Sequence, residues 1–459
     1  MRVLHAIHDF LPRHRAGSEI YAFDLARELS ATHEVFILAA EYDPSTAHGT
    51  LRWRRHEGLT VVELVNNWEF DRFEESYSSD RLNAQLGHVL DATKPDVVHL
   101  HNLLNLSFDL PRLSRERGAA VVATLHDYTL VCPSGGQRVH QAESHVCEVI
   151  DAERCSRCFP QSAFGAQMAV GRLTRKPGGR WAARAAAVAR QHVPMIATGA
   201  AAQLKPGPIS AGDITRRLAY ARHVFDMVDL FVAPSPAIAA EFERLGLSAG
   251  RLEVSDYGFP VVATSRRQAI EDAPLRIGFV GTLVWHKGVH ILLEAARALT
   301  GRFEIHLHGD TTVFPDYVHR LRGLASGQPV TFHGGFDRDR VASIYGSLDV
   351  LVVPSLWPEN SPLVIHEAFM FGVAVIGSRT GGIPHLVRHD VDGLVYDPFS
   401  AEGLAAALQS LVDEPARAAR LAGAAPVVKS IAADAREWTE RYTKVTTESK
   451  GAKEGAKEG

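Results

Sequence analysis

Along the first part of the chain, short runs of β-branched and aliphatic residues alternate with stretches whose apolar positions recur every three to four residues. Residues 3–7 read as a strand. In 18–29, Ile20, Phe23, Leu25 and Leu29 fall near helical spacing, and Ser18 is a candidate N-cap. Strands are predicted at 35–40 and 60–65, a helix at 82–92, and further strands at 97–100 and 121–125. This βαβ rhythm predicts a parallel sheet covered on both faces.

The rhythm breaks at 132–212. All the cysteines lie here, with several glycines and prolines and an Ala/Arg-rich stretch at 181–190, so the segment reads as an insertion on the first domain. A helix at 214–227 and a strand at 230–233 resume the pattern. A linker is predicted around 260–274, and a second βαβ series follows, with strands at 276–280, 304–308, 330–333, 350–353, 374–376 and 393–396. The expected organisation is an N-terminal Rossmann-like domain over 1–265, a C-terminal one over 275–430, a helix at 431–446 that packs back on the first, and a low-complexity, disordered tail at 447–459. Ligands of doubly wound sheets bind beyond the carboxyl ends of the strands, so functional motifs are expected just after strands.

Bulk numbers add exclusions. With 459 residues, two or three domains of about 100–200 residues are expected. Apolar residues make up 46% and the net charge is −4, which suits ordinary globular cores and argues against nucleic acid as a partner. No run approaches the roughly 18 apolar residues of a membrane span, and residues 1–7 lack signal-peptide character, so the expected location is cytoplasmic. Four cysteines in a chain this long do not make a disulfide framework.

The most informative segment follows the strand at 350–353. Glu359 and Glu367 are separated by seven residues, and Pro358 and Pro362 forbid one helix from carrying both. Ser361 followed by Pro362 reads instead as a helix start, a serine N-cap and then proline at the first helical position. Glu359 then lies in the loop and Glu367 inside the helix, while the amides of Leu363 and Val364 offer an anion site at the helix N-terminus. Two such carboxylates can bracket a polar ligand whose phosphates sit at the dipole. In isolation, an E-x7-E pair is more often two solvated glutamates on a surface helix.

Four segments in order alter that balance: Ala16-Gly17-Ser18-Glu19; Thr124-Leu125-His126-Asp127-Tyr128; Gly278 to Gly288, which contains Gly281, Thr282 and Lys287; and the Glu359–Glu367 element followed by Gly381-Gly382-Ile383-Pro384. On these segments the chain resembles the family 4 glycosyltransferases. The resemblance implies the α/β GT-B architecture, two facing Rossmann-like domains with an interdomain cleft. It also implies a retaining hexosyltransferase that moves a sugar from a nucleotide diphosphate to a hydroxyl acceptor in cell-surface polysaccharide or glycolipid biosynthesis.

The resemblance further implies that Lys287 stabilises the departing diphosphate, that Glu359 holds hydroxyls of the transferred sugar, and that His126 stands near the anomeric carbon. It places Gly17, Gly281, Thr282, Asn360, Ser361, Pro362 and Leu363 along the donor, with Glu367 on the ribose hydroxyls. The family commonly has arginine where this chain has Thr282, and His286, Arg13 or Arg15 is a candidate replacement cation. His99 and His101 rank below His126, as structural or acceptor-lining residues. Taken alone, His126-Asp127 reads as a local hydrogen-bonded pair.

Cys132, Cys147, Cys155 and Cys158 fall within 27 residues, and Cys155-Ser156-Arg157-Cys158 has the C-x2-C spacing of a tetrahedral metal clamp. Structural zinc is one reading, with His140 and His145 as further candidate ligands; four unrelated thiols or a redox pair is the other. No metal or other cofactor is expected for transfer itself. Arg172, Arg175, Lys176, Arg180, Arg184 and Arg190 make the insertion basic. A solvated helix face accounts for them, and so does peripheral contact with an anionic membrane carrying a lipid-linked acceptor. A glycan or small-molecule acceptor is equally compatible. Two other functions fit the same residues: a catalytically silent sugar-nucleotide or polysaccharide binder, and a GT-B epimerase or hydrolase.

Overall fold

The aliphatic run of Arg2–Ile7 is buried from its second residue onward, and it forms the centre of the first sheet. The computed structural model describes residues 1–175, 208–261 and 273–458. The chain divides into two units. Unit 1 comprises Met1–Pro234, Ala239–Phe259 and Ile431–Gly459, and unit 2 comprises Ser235–Ile238 and Pro260–Ser430.

In unit 1 the strands are β1 Arg2–Ile7, β2 Glu34–Glu41, β3 Leu51–His56, β4 Leu59–Val65, β5 Val97–Leu100 and β6 Ala120–Thr124, with β7 Val139–His140 and β8 His145–Val146 as a separate hairpin, then β9 Leu230–Ala233 and β10 Leu252–Val254. The main sheet has the order β10-β9-β6-β5-β1-β2-β4-β3. Its pairings are parallel except for β3, which runs antiparallel to β4 at the edge. Strand order reverses between β1 and β5, so the loops after β1, β5 and β6 surround a topological switch point.

Neither β3 nor β10 is anticipated by the apolar pattern. Arg52, Arg54 and Arg55 mask the alternation in β3, and Trp53 is half-exposed on this edge strand. Arginine suits an edge, because its charge discourages pairing with another chain. The other predicted elements appear with ends shifted by a few residues, as expected of helix and strand termini.

The helix Gly17–Leu29 starts one residue earlier than predicted. Ala16 is its N-cap, and Ser18 does not cap it but donates to Glu19 at 2.9 Å. Within the described part of the insertion, the hairpin β7–β8 is followed by helices Ala152–Cys158 and Ala163–Thr174. Arg172 donates to Phe70 O at 3.0 Å and Arg175 pairs with Asp71, so these two charges are tied to the fold. Lys176, Arg180, Arg184 and Arg190 lie outside the described residues, as does most of the predicted linker.

The final helix runs Ile431–Glu458, through the tail expected to be disordered, and belongs to unit 1. Its inner face buries Trp438, Tyr442 and Val445. Asp434, also buried, accepts hydrogen bonds from Tyr21 OH at 2.9 Å and from Gly258 N at 3.0 Å.

Unit 2 holds β11 Leu275–Val280, β12 Phe303–His308, β13 Val330–Gly334, β14 Val350–Val353, β15 Ala374–Ser378 and β16 Gly393–Tyr396. The order is β13-β12-β11-β14-β15-β16, all parallel. The switch point lies between β11 and β14, and the two loops that leave it are Gly281–Gly288 and 354–362. No helix among the described residues is long and apolar enough to cross a membrane.

Candidate active site

In unit 2 the loop after β11 ends in the single turn Trp285–Lys287, and Gly288 follows at φ 73°. A Cβ on Gly288 would stand 1.8 Å from Pro354 O, so only glycine allows this turn to lie against the loop after β14. That contact brings Lys287 to Glu359. Lys287 Nζ donates to Glu359 Oε1 at 2.6 Å, Ser355 Oγ donates to the same oxygen at 2.6 Å, and the ammonium lies 5.5 Å from the Trp357 ring centroid. Glu359 is only 5% exposed, so its charge depends on these partners.

Behind this loop, Gly382 N donates to Glu359 O at 2.7 Å. A Cβ on Gly382 would meet Asn360 O at 1.7 Å, so the Gly381-Gly382 pair forms the floor on which Glu359 and Asn360 rest.

The helix after this loop is Leu363–Met370, and its N-cap is Pro362. The predicted serine cap is corrected here. Ser361 Oγ pairs with His366 Nε2 at 2.9 Å, and the N-cap residue Pro362 offers no side-chain cap to the amides of Leu363 and Val364. Glu367 is half-buried further along the helix and accepts from Tyr345 OH at 2.7 Å. Burial raises its pKa above the ordinary 4.5, against the lowering influence of Tyr345 and Arg338.

Gly281 and Thr282 begin the loop after β11, and Thr282 is exposed. His286 does not supply the missing cation. It is 2% exposed, burial and the adjacent Lys287 push its pKa down to about 3, and neither ring nitrogen has a hydrogen-bond partner among the described residues. Arg13, in unit 1, is committed to Glu41 at 2.8 Å and to Glu63, and Arg15 Nε donates to Pro12 O at 3.3 Å.

Unit 1 gathers histidines at its own switch point. His126 follows β6, and both of its nitrogens are held: Nε2 by His101 Nδ1 at 2.9 Å and Nδ1 by Tyr257 OH at 2.8 Å. His101 Nε2 continues to His5 Nδ1 at 2.8 Å. Beside this chain, His99 bridges Tyr442 OH and Thr124 Oγ1, each at 2.7 Å, with the Trp438 ring centroid 4.1 Å away.

Burial pushes His5 and His126 down to about 3, and His99 and His101 well below their ordinary value. All four are therefore neutral. A neutral imidazole donates once and accepts once, so the row His5–His101–His126–Tyr257 has a defined direction.

Both ring nitrogens of His126 thus face His101 and Tyr257, and Asp127 has its own donors. It accepts from Asn102 Nδ2 at 2.9 Å and from Thr129 N at 2.7 Å, and burial raises its pKa. Gly17 opens the helix after the β1 loop, where buried Glu19 comes within 3.5 Å of His8.

Of these residues, Ser355 and Trp357 lie in the loop between the strand at 350–353 and Glu359, where the sequence alone gives them no role. Tyr345, His8, Tyr257 and Tyr442 carry no local signal at all. Only the fold brings them to their partners, across 22 residues for Tyr345–Glu367 and 343 for His99–Tyr442.

The four cysteines are free thiols, and together they line one cavity of about 20 Å³ in unit 1. Neither His140 nor His145 lines it. His145 Nε2 pairs with Arg154 at 2.8 Å, and His140 Nδ1 accepts from Glu143 N at 3.3 Å.

Comparisons with known proteins bear on both units. A family model described as "Glycosyltransferase Family 4" matches residues 15–146, and one described as "Glycosyl transferases group 1" matches residues 263–427. A D-inositol 3-phosphate glycosyltransferase of Rhodococcus opacus is 36% identical over 33% of this chain and 36% of its own length. A lipopolysaccharide core biosynthesis glycosyltransferase, LpsE, of Rhizobium meliloti is 32% identical over 46% of this chain and 61% of its own. The chain thus spans about a third to three-fifths of the length of these curated relatives. The crystal structure of Anabaena HepE in complex with UDP and glucose aligns over 96% of this chain and 99% of that one, with a TM-score of 0.63 at 16% identity, a likeness of fold.

Proposed function

This chain belongs to the family 4 glycosyltransferases and has the GT-B fold, and from that premise we propose that it transfers a hexose from a nucleoside diphosphate to a hydroxyl acceptor with retention of configuration. The observation that carries this reading is the Lys287–Glu359 pair beside the uncapped start of helix Leu363–Met370. A lysine ammonium and free helix amides are the elements that hold a diphosphate and spread the charge of its departure. Drawn to phosphate, Lys287 releases Glu359, whose carboxylate then accepts hydrogen bonds from sugar hydroxyls. Glu367, further along the same helix, takes the ribose hydroxyls.

His126, with both nitrogens held in a neutral row, acts as a shaped wall and a dipole beside the anomeric carbon; it is not a proton carrier. The proton of the acceptor hydroxyl passes to an oxygen of the leaving phosphate. The acceptor class proposed is a cell-surface glycan or glycolipid, in keeping with the name of the Rhizobium relative.

The test is calorimetry of UDP, GDP and ADP against wild type and Lys287→Ala. One nucleotide is expected to bind near micromolar strength, and the variant to lose about 1.5–3 kcal/mol, as a charge-assisted contact should. Equal binding by both proteins, or none by either, sinks the assignment. Retention is read from the anomer first released on slow donor hydrolysis, followed by proton NMR.

A further inference from the structure

Cys155 and Cys158 lie one turn apart on helix Ala152–Cys158, so their side chains face the same side. Cys132 reaches the same place from the turn after β6, and Cys147 from the end of β8. The fold thus collects all four cysteines, from three separate segments, around one cavity of about 20 Å³, room for a single ion or water. None is disulfide-bonded. Clusters whose ligand atoms already stand within 4.8 Å of one another are His5/His99/His101 and His8/Asp9/Glu19, among the described residues. The first of these is committed to the hydrogen-bonded rows at β1, β5 and β6. The cysteines are a looser set, which an ion would draw together.

The surroundings supply the charge that four thiolates require. Arg138 and Arg154 line the cavity, Arg138 ion-paired with Glu241 and Arg154 bonded to His145. Arg217, on helix Ala211–Met227, is 5% exposed and lies within electrostatic reach of Cys132 and Cys155. It donates to Thr129 O at 2.6 Å and Leu130 O at 3.0 Å, and no carboxylate partner for it is found among the described residues. This buried guanidinium is held by two carbonyls and stacks 4.9 Å over the Phe108 ring; neither contact neutralises its charge, so it calls for a negative partner. A tetrathiolate–zinc centre carries two negative charges and provides one.

We propose that Cys132, Cys147, Cys155 and Cys158 bind one structural zinc ion that clamps the insertion to the loop after β6. Four thiols release their protons to solvent as the four Zn–S bonds form, and no oxidant or reductant takes part. The clamp acts directly on that loop. Cys132 N donates to Tyr128 O at 2.7 Å and Tyr128 N to Gly136 O at 3.0 Å, so fixing Cys132 fixes the segment that carries His126 and Asp127.

The experiment is zinc analysis by mass spectrometry on the full chain, purified under reducing conditions without chelator. About one zinc per chain is expected. Titration of the wild type with a mercurial should release that zinc in step with modification of four thiols, read with a colorimetric chelator. Cobalt substituted for zinc should give the sulfur-to-metal charge-transfer band and the intense visible bands of a tetrahedral thiolate site. Cys155→Ser and Cys158→Ser should each lose the metal. Should these variants fail to fold, the wild-type titration decides by itself. Absence of zinc together with failure to take up cobalt overturns the proposal. So does zinc that stays bound after all four thiols are modified, and so does recovery of the four cysteines as disulfides.

Discussion

At the scale of single residues, the candidate donor site depends on charged groups that burial makes expensive unless they are paired. Lys287 and Glu359 satisfy each other, and Ser355 adds a second donor to the carboxylate. Glu367 has Tyr345 as its hydrogen-bond donor, and burial holds its carboxyl above the ordinary 4.5. The folded chain therefore keeps this proton more tightly than the unfolded chain. Its contribution to stability is complete below pH 4.5 and is lost as pH rises through the raised pKa. Glu367→Gln removes that loss while leaving an acceptor for Tyr345. Its melting temperature is expected to exceed that of wild type at pH 7.5 by on the order of a few degrees, with the gain vanishing below pH 4.5. Nucleotide affinity should fall in the same variant, and a melting profile that tracks wild type at every pH would refute the account. The glutamate spacing and Lys287 are legible in the sequence because a proline-bounded loop and a glycine-flanked lysine are local features. The true partner of Ser361, His366, was not: the same Ser-Pro pair supports a cap equally well, and only packing decides where the hydroxyl points.

At the scale of elements, the loops around the two switch points rely on close backbone contact. Gly382 has ordinary φ, so its requirement is steric: a methyl group would overlap Asn360 O at 1.7 Å. Gly382→Ala is expected to destabilise the chain by about 1–3 kcal/mol, as overpacking does, and to abolish nucleotide binding through displacement of Glu359. Urea unfolding and calorimetry on the same sample check both effects, and retained affinity would show that the floor is not needed. In unit 1, the element that matters is the row of neutral histidines at the ends of β1, β5 and β6. Their pKa values are depressed, to about 3 for His5 and His126, so the unfolded chain takes up protons first as pH falls. The stability they confer is complete above about pH 6.5 and is lost as pH falls toward 3. Urea midpoints read through tryptophan fluorescence should therefore decline steadily from pH 6.5 to 4, and a flat profile would contradict neutral burial. The sequence marks His99, His101 and His126 as strand-end residues. Their linkage could not be foreseen, because side chains from parallel neighbours meet only once the sheet order is known.

At the scale of the molecule, the C-terminal helix completes unit 1, from which it is separated in sequence by all of unit 2 except Ser235–Ile238. Asp434 ties it to Tyr21 and Gly258, and Tyr442 reaches His99. Asp434→Asn is expected to cost about 1.5–3 kcal/mol, since a buried carboxylate then loses its charge-assisted bonds. A chain ending at Ser430 should lose the cooperative unfolding of unit 1 altogether, as calorimetry would report; an unchanged transition would mean that the helix only decorates the unit. Two βαβ series, and the position of the quoted motifs just after strands, were determined by the sequence itself. Hydrophobic periodicity and helix-start residues are local, and a parallel sheet with covered faces is their simplest solution. Only the tertiary structure decided that an arginine-rich edge strand joins the first sheet, that the tail continues a helix, that three histidines and Tyr257 stand in one row with His99 beside it, and that four cysteines from three segments face one cavity. The histidine row depends on contacts between residues far apart in the chain, whose free energy exists only after the loops between them have closed.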